Sequence, residues 1–108
     1  MAQITGLGGI FFKTRDVERT RRWYADMLGL TGEFGIALPW NRDKGEDPYS
    51  LLGPFSASTD YFDPSDAPFM INLRVDDLDG FLRQLEAKGI DVLGRQDEDY
   101  GKFAWILD

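Results

Sequence analysis

Gly9-Ile10-Phe11-Phe12-Lys13-Thr14-Arg15-Asp16 leads into Val17-Glu18-Arg19-Thr20-Arg21-Arg22-Trp23-Tyr24 and closes on Leu28-Gly29-Leu30. A second stretch repeats the same grammar. Met70-Ile71-Asn72-Leu73-Arg74-Val75-Asp76-Asp77 leads into Leu78-Asp79-Gly80-Phe81-Leu82-Arg83-Gln84-Leu85 and closes on Lys88-Gly89-Ile90. Each reads as a strand, an Asp that caps a helix, the helix, and a Gly that stops it. A repeat of this size implies a pair of like modules, with a ligand site where they face each other.

The chain has 108 residues, a length that suits one domain with a single core. It contains no cysteine and no histidine. That excludes disulfides, thiolate chemistry, imidazole ligands and any catalytic triad built on His. Twelve basic side chains stand against 19 acidic ones, for a net charge of -7. Such a surface repels phosphate backbones, so no nucleic-acid partner is expected. The first apolar run, residues 4–12, is too short and glycine-rich to span a membrane and lacks a basic leader. A soluble cytoplasmic protein without a membrane partner is therefore expected.

Ile10 and Phe12 alternate with Gly9, Phe11 and Lys13, the period of a strand with two faces. In the first helix Val17, Thr20, Tyr24, Met27 and Leu28 form an inward stripe. Strands are expected over 33–40 and 49–55, joined by a long polar hairpin loop at 41–48. A Ser-, Asp- and Pro-rich connection covers 56–68, with one short strand at 59–62. In the second module Ile71, Leu73 and Val75 share one strand face, and Met70, Asn72 and Arg74 the other. Its helix buries Leu78, Phe81, Leu82 and Leu85, and strands follow at 91–93 and 101–107, with 97–99 a solvated loop. Each helix covers one face of its sheet, so Gly9, Phe11, Lys13, Met70, Asn72 and Arg74 are expected on uncovered faces around a cavity.

Arg15-Asp16, Trp23-Tyr24, Leu28-Gly29-Leu30, Val75-Asp76-Asp77-Leu78, Gly89-Ile90 and the run Gly101 to Asp108 together resemble the vicinal-oxygen-chelate superfamily. Its members include glyoxalase I, the bleomycin-resistance proteins and the extradiol dioxygenases. The resemblance implies an α+β fold of two tandem βαβββ modules, forming a curved mixed sheet around a central cleft. It implies a single domain over 1–108, with module one at 1–62, module two at 69–108 and the connection at 56–68. In that family the closing run continues through a turn into a final strand that carries a metal-binding Glu. That last strand is missing from this chain, and the natural protein is expected to continue by on the order of 10 residues.

Family enzymes hold a divalent metal through a residue, usually His, at the start of the first strand of each module. Counting back from Asp16 and Asp77 places those positions at Gly9 and Met70. Glycine has no donor atom, and a thioether suits hard divalent ions poorly. No metal and no cofactor are therefore expected, unless ligands lie beyond the chain end or come from a partner. Asp76, Asp77 and Asp79 read as acids drawn to a helix N-terminus. Asp60, Asp63 and Asp66 read as turn residues.

Lys13 and Arg74 occupy matching positions on the two strands and could clamp a carboxylate or phosphate, with Asn72 adding a polar contact. Phe11, Trp40, Phe103 and Trp105 could stack on a flat ligand, with Met70 and Arg42 beside them. These nine residues are the expected ligand-binding set; no catalytic residue is assigned. The leading expectation is a metal-free protein that binds a small organic molecule. The alternative is a metal-dependent lyase, isomerase or dioxygenase of the lactoylglutathione lyase type, acting on a small oxygenated substrate. A structural module with a vestigial cavity is the third. Exposed sheet edges and paired modules favour a homodimer.

Overall fold

A computed structural model describes residues 1–33, 35–41 and 46–107, with backbone alone for 39–41 and 46–48. The order is β1 (Ile4–Thr14), α1 (Val17–Leu28), β2 (Ile36–Asn41), β3 (Glu46–Ser56), β4 (Phe69–Val75), α2 (Leu78–Ala87), β5 (Gly94–Glu98) and β6 (Gly101–Trp105). This is an α+β chain with a mixed four-stranded sheet, order β2-β3-β1-β4, and a two-stranded sheet of β5 and β6. It divides into two compact units, Leu7–Leu73 and Met1–Gly6 with Arg74–Asp108. Among the described residues no helix is long and apolar enough to cross a membrane.

The helix caps form as local chemistry dictates. The Asp16 carboxylate accepts from the Arg19 N–H at 3.0 Å, and Gly29 ends α1 in the left-handed conformation at φ 68°. Asp77 accepts likewise from the Gly80 N–H at 3.1 Å. At the other end of α2, Gly89 N–H reaches Glu86 O and Ile90 N–H reaches Leu85 O, satisfying carbonyls that the helix leaves open. Asp77→Ala should cost about 1 kcal/mol by urea denaturation, while Asp77→Asn, which keeps the acceptor, should cost much less.

In the Leu7–Leu73 unit, β1 and β3 run parallel, with Gly9 opposite Leu51, Phe11 opposite Gly53 and Lys13 opposite Phe55. β2 and β3 run antiparallel, with Ile36 opposite Leu52 and Ala37 opposite Leu51. Strand alternation then sorts the side chains into two faces. Ile36, Leu52, Phe12 and Thr14 share the face that α1 covers, where Thr14 Oγ1 meets Thr20 Oγ1 at 2.7 Å. Ile36, 1% exposed, is the most buried large side chain there. Ser50, also buried, donates its hydroxyl to Leu7 O at 2.6 Å.

In the other unit Leu82 is the buried residue of α2. The N-terminal arm is tied to α2 by a double amide contact: Ala2 N–H donates to Gln84 Oε1 and Gln84 Nε2 donates to Ala2 O. β1 and β4 are joined near their ends by Lys13 N–H to Pro68 O and Asp76 N–H to Gln3 O. The opposite chain order of these bonds makes the pair antiparallel.

Several expectations need correction. Residues 59–62 form no strand: 59 and 60 are irregular, and 61 and 62 open a turn. Local acceptors take their N–H groups: Thr59 donates to Ser56 O, Tyr61 to Thr59 Oγ1, and Asp63 to Asp60 O. The strand expected at 91–93 begins instead at Gly94, because its register with β6 pairs Gly94 with Trp105 and Glu98 with Gly101. Asp97 and Glu98, expected in a loop, therefore lie on β5. The hairpin of β2 and β3 pairs as far as Asn41 and Glu46, shortening the expected loop. Met27 and Leu28 do not join the inward stripe of α1; both are more than half exposed. Ile71 and Leu73, expected under a helix, are exposed too.

Candidate functional site

The face of the Leu7–Leu73 sheet opposite α1 carries Gly9, Phe11 and Lys13 from β1, Leu51, Gly53 and Phe55 from β3, and Ala37 from β2. Gly53 makes room for Phe11, whose Cδ1 lies 2.7 Å from where a Gly53 Cβ would stand. Freed to lie flat, the Phe11 ring meets Phe55 with centroids 5.4 Å apart. The turn after β3 adds Tyr61, stacked on Phe55 at 5.1 Å and 10°, and Phe62, edge-on to Phe55 at 5.5 Å. Lys13 Nζ stands 5.5 Å from the Phe62 ring centroid, a cation–π contact. Four aromatic rings and one ammonium are thus gathered from β1, β3 and one turn.

The same unit has a pocket of about 210 Å³, lined by Gly32, Glu33, Gly35, Ala37, Tyr49 and Leu51. Leu51 and Ala37 give it an apolar floor, and Glu33 puts one carboxylate among its lining residues. A larger depression in the other unit is lined by Ala2, Asp76, Asp77, Gly80, Arg83 and Gln84. Asp76 and Gln84 there are engaged by the N-terminal arm, and Asp77 by the α2 cap.

Of the expected ligand-binding residues, Phe11 and Lys13 come together in the aromatic cluster. Met70, Asn72 and Arg74 lie on β4, all three half-buried. The Asn72 amide lies over the Gly8 backbone, its Oδ1 2.5 Å from where a Gly8 Cβ would stand. Phe103 and Trp105 are neighbours on β6, centroids 6.5 Å apart, in the unit that contains α2. The backbone of Trp40 is in β2; Arg42 lies outside the described residues. Sequence reasoning missed Phe55, Tyr61 and Phe62 as site residues. The alternation Leu51-Gly53-Phe55 placed Phe55 on Phe11's face only once the parallel register was known.

Gly9 is held to glycine by its neighbour strand. A Cβ at this position would overlap the Leu51 carbonyl oxygen and approach its C and N atoms at 2.9 Å. No side chain, and so no ligand atom, fits there. Among the described residues no three His, Cys, Asp or Glu are grouped to hold a metal ion. The main charge network is elsewhere and exposed: Arg95 Nη1 to Asp79 at 2.5 Å, Arg95 Nε to Asp97 at 3.0 Å, and Lys102 to Asp79 at 3.6 Å. Arg95, with help from Lys102, holds the Asp79 carboxyl below its ordinary range, and Asp97 and Asp79 raise Arg95. Comparison of the sequence with protein-family models and with curated proteins gives no match to either.

Proposed function

We propose that this chain binds a small, flat organic molecule on the helix-free face of its sheet, without a metal. The observation that carries the reading is the cluster of Phe11, Phe55, Tyr61 and Phe62, with Lys13 over the Phe62 ring. Aromatic contacts of this kind contribute about 0.5–1.5 kcal/mol each beyond area burial. The resemblance to the glyoxalase and bleomycin-resistance family supports the same reading, and the tandem-module architecture rests on the repeat. The metal of the family's enzymes does not fit the donor set: Gly9 has neither a donor nor room for one, and Met70 offers only a thioether.

The local cation favours a ligand with an anionic group. Net charge -7 would draw cations, but that field is screened over about 8 Å at physiological salt. Lys13 acts at contact distance, where it dominates.

A thermal-shift series with naphthoate, a cationic aminoglycoside and a glutathione conjugate tests the proposal. Naphthoate should raise the melting temperature most, and Lys13→Met should remove most of that shift while leaving the unliganded protein folded. A shift indifferent to Lys13→Met, or no shift with any of the three, contradicts the proposal. So does a stoichiometric divalent metal in protein purified without chelator.

A further inference from the structure

Helix α1 gives an acidic chain one arginine-rich surface. Residues 15–22 hold four of the eight arginines against two acids, in a protein of net charge -7. Arg21 is used within the fold, its guanidinium donating to Gly32 O at 2.6 Å. Arg15, Arg19 and Arg22 are exposed and in no ion pair among the described residues, although Glu18 and Asp26 stand one turn to either side of Arg22. Trp23 and Met27 lie beside them, 51% and 67% exposed. Arg19, Trp23 and Met27 recur every fourth residue, so they form one row about 12 Å long down the helix, with Arg22 alongside. The indole of Trp23 touches only the edge of the neighbouring Tyr24 ring, at 5.3 Å, among the aromatic side chains described.

This composition is that of a contact surface. Arg, Trp and Met are enriched where proteins meet and Lys is depleted, and α1 contains no lysine. Three unpaired guanidiniums set the charge of the partner: their planar forks match carboxylates. An anionic bilayer or a nucleic acid presents its charge over a wide area and so meets the rest of the acidic surface as well. A short segment meets α1 alone, because the field of the remaining chain is screened over about 8 Å at physiological salt. Bilayer binding also grows with the apolar area inserted, and this row offers two apolar side chains with Asp26 beside them. We propose that the outward face of α1 docks an acidic segment of another protein. Trp23 and Met27 anchor an apolar side chain of that segment, while Arg15, Arg19 and Arg22 pair with its carboxylates.

Calorimetric titration with a random Glu/Tyr copolymer tests this, with poly-glutamate and phosphatidylserine vesicles as the other two arms. The copolymer should bind saturably and more tightly than poly-glutamate, and the vesicles should not bind. Trp23→Ala and Arg22→Glu should each weaken the copolymer at least about tenfold. Both residues are exposed, so both variants should keep the parent circular-dichroism spectrum. Arg83→Glu, an equal change of charge at an exposed site on α2, should leave binding unchanged. Lys13→Met should also leave it unchanged, which separates this surface from the aromatic cluster of β1 and β3. No saturable binding of the copolymer overturns the proposal, as does binding indifferent to Trp23→Ala and Arg22→Glu. Loss of binding in Lys13→Met or Arg83→Glu, equal binding of poly-glutamate, or vesicle binding that depends on Trp23 does the same.

Discussion

Phe62→Ala should destabilise the chain by about 3–5 kcal/mol, read as a lowered urea midpoint. Phe62 is 2% exposed although it belongs to a turn, and three groups depend on its ring. Phe55 packs edge-on to it at 5.5 Å, Tyr61 at 6.3 Å, and Lys13 stands over its face. Truncation leaves a cavity among rings and removes the cation–π contact. Small domains have only about 5–15 kcal/mol of stability in total, so the variant should be partly unfolded at ambient temperature. Tyr61→Ala is the fitting comparison. Tyr61 is stacked on the same Phe55 ring but exposed, so its loss should cost far less.

The second large effect is expected at Gly9. Gly9→Ala forces one methyl group into the carbonyl of Leu51, an atom fixed by the parallel pairing of β1 with β3. Overpacking commonly costs about 1–3 kcal/mol, and the cost should lie at or above the upper end here because backbone cannot turn aside as a side chain can. Gly29 provides the contrast: nothing stands within 4 Å of its would-be Cβ. Gly29→Ala should therefore cost only the left-handed backbone penalty, about 1–2 kcal/mol. Equal denaturation midpoints for the Gly9→Ala variant and the parent would refute the close approach of the two strands.

Much of the architecture was legible because it rests on local chemistry. Asp16 and Asp77 both accept from the N–H three residues on, as a capping Asp does. Ile10 and Phe12 alternate with Phe11 and Lys13 as a two-faced strand does, and the faces are real. What stayed hidden depends on partners distant in sequence. Gly94–Glu98 is polar at nearly every position and becomes a strand only because Gly101–Trp105 pairs with it. Residues 59–62 look strand-like by composition, yet neighbouring hydroxyl and carbonyl oxygens capture their N–H groups first. Met27 and Leu28 match a helical stripe, but the inward stripe of α1 stops before the last turn.

The candidate site was half legible. Phe11 and Lys13 could be placed on the helix-free face by alternation alone. Their companions Phe55, Tyr61 and Phe62 needed the register Phe11 to Gly53, which no single-strand pattern contains. That only glycine fits at position 9 depends on Leu51, 42 residues away, and was not legible in the sequence.

The central claim is that a ligand binds the helix-free face. Its most direct test is an amide chemical-shift titration of the labelled protein with naphthoate. Saturable shifts should concentrate in β1 around Phe11 and Lys13, in β3 from Leu51 to Phe55, and in the turn at Tyr61 and Phe62. Shifts confined to α2 and the N-terminal arm, or none at saturating naphthoate, would contradict the account.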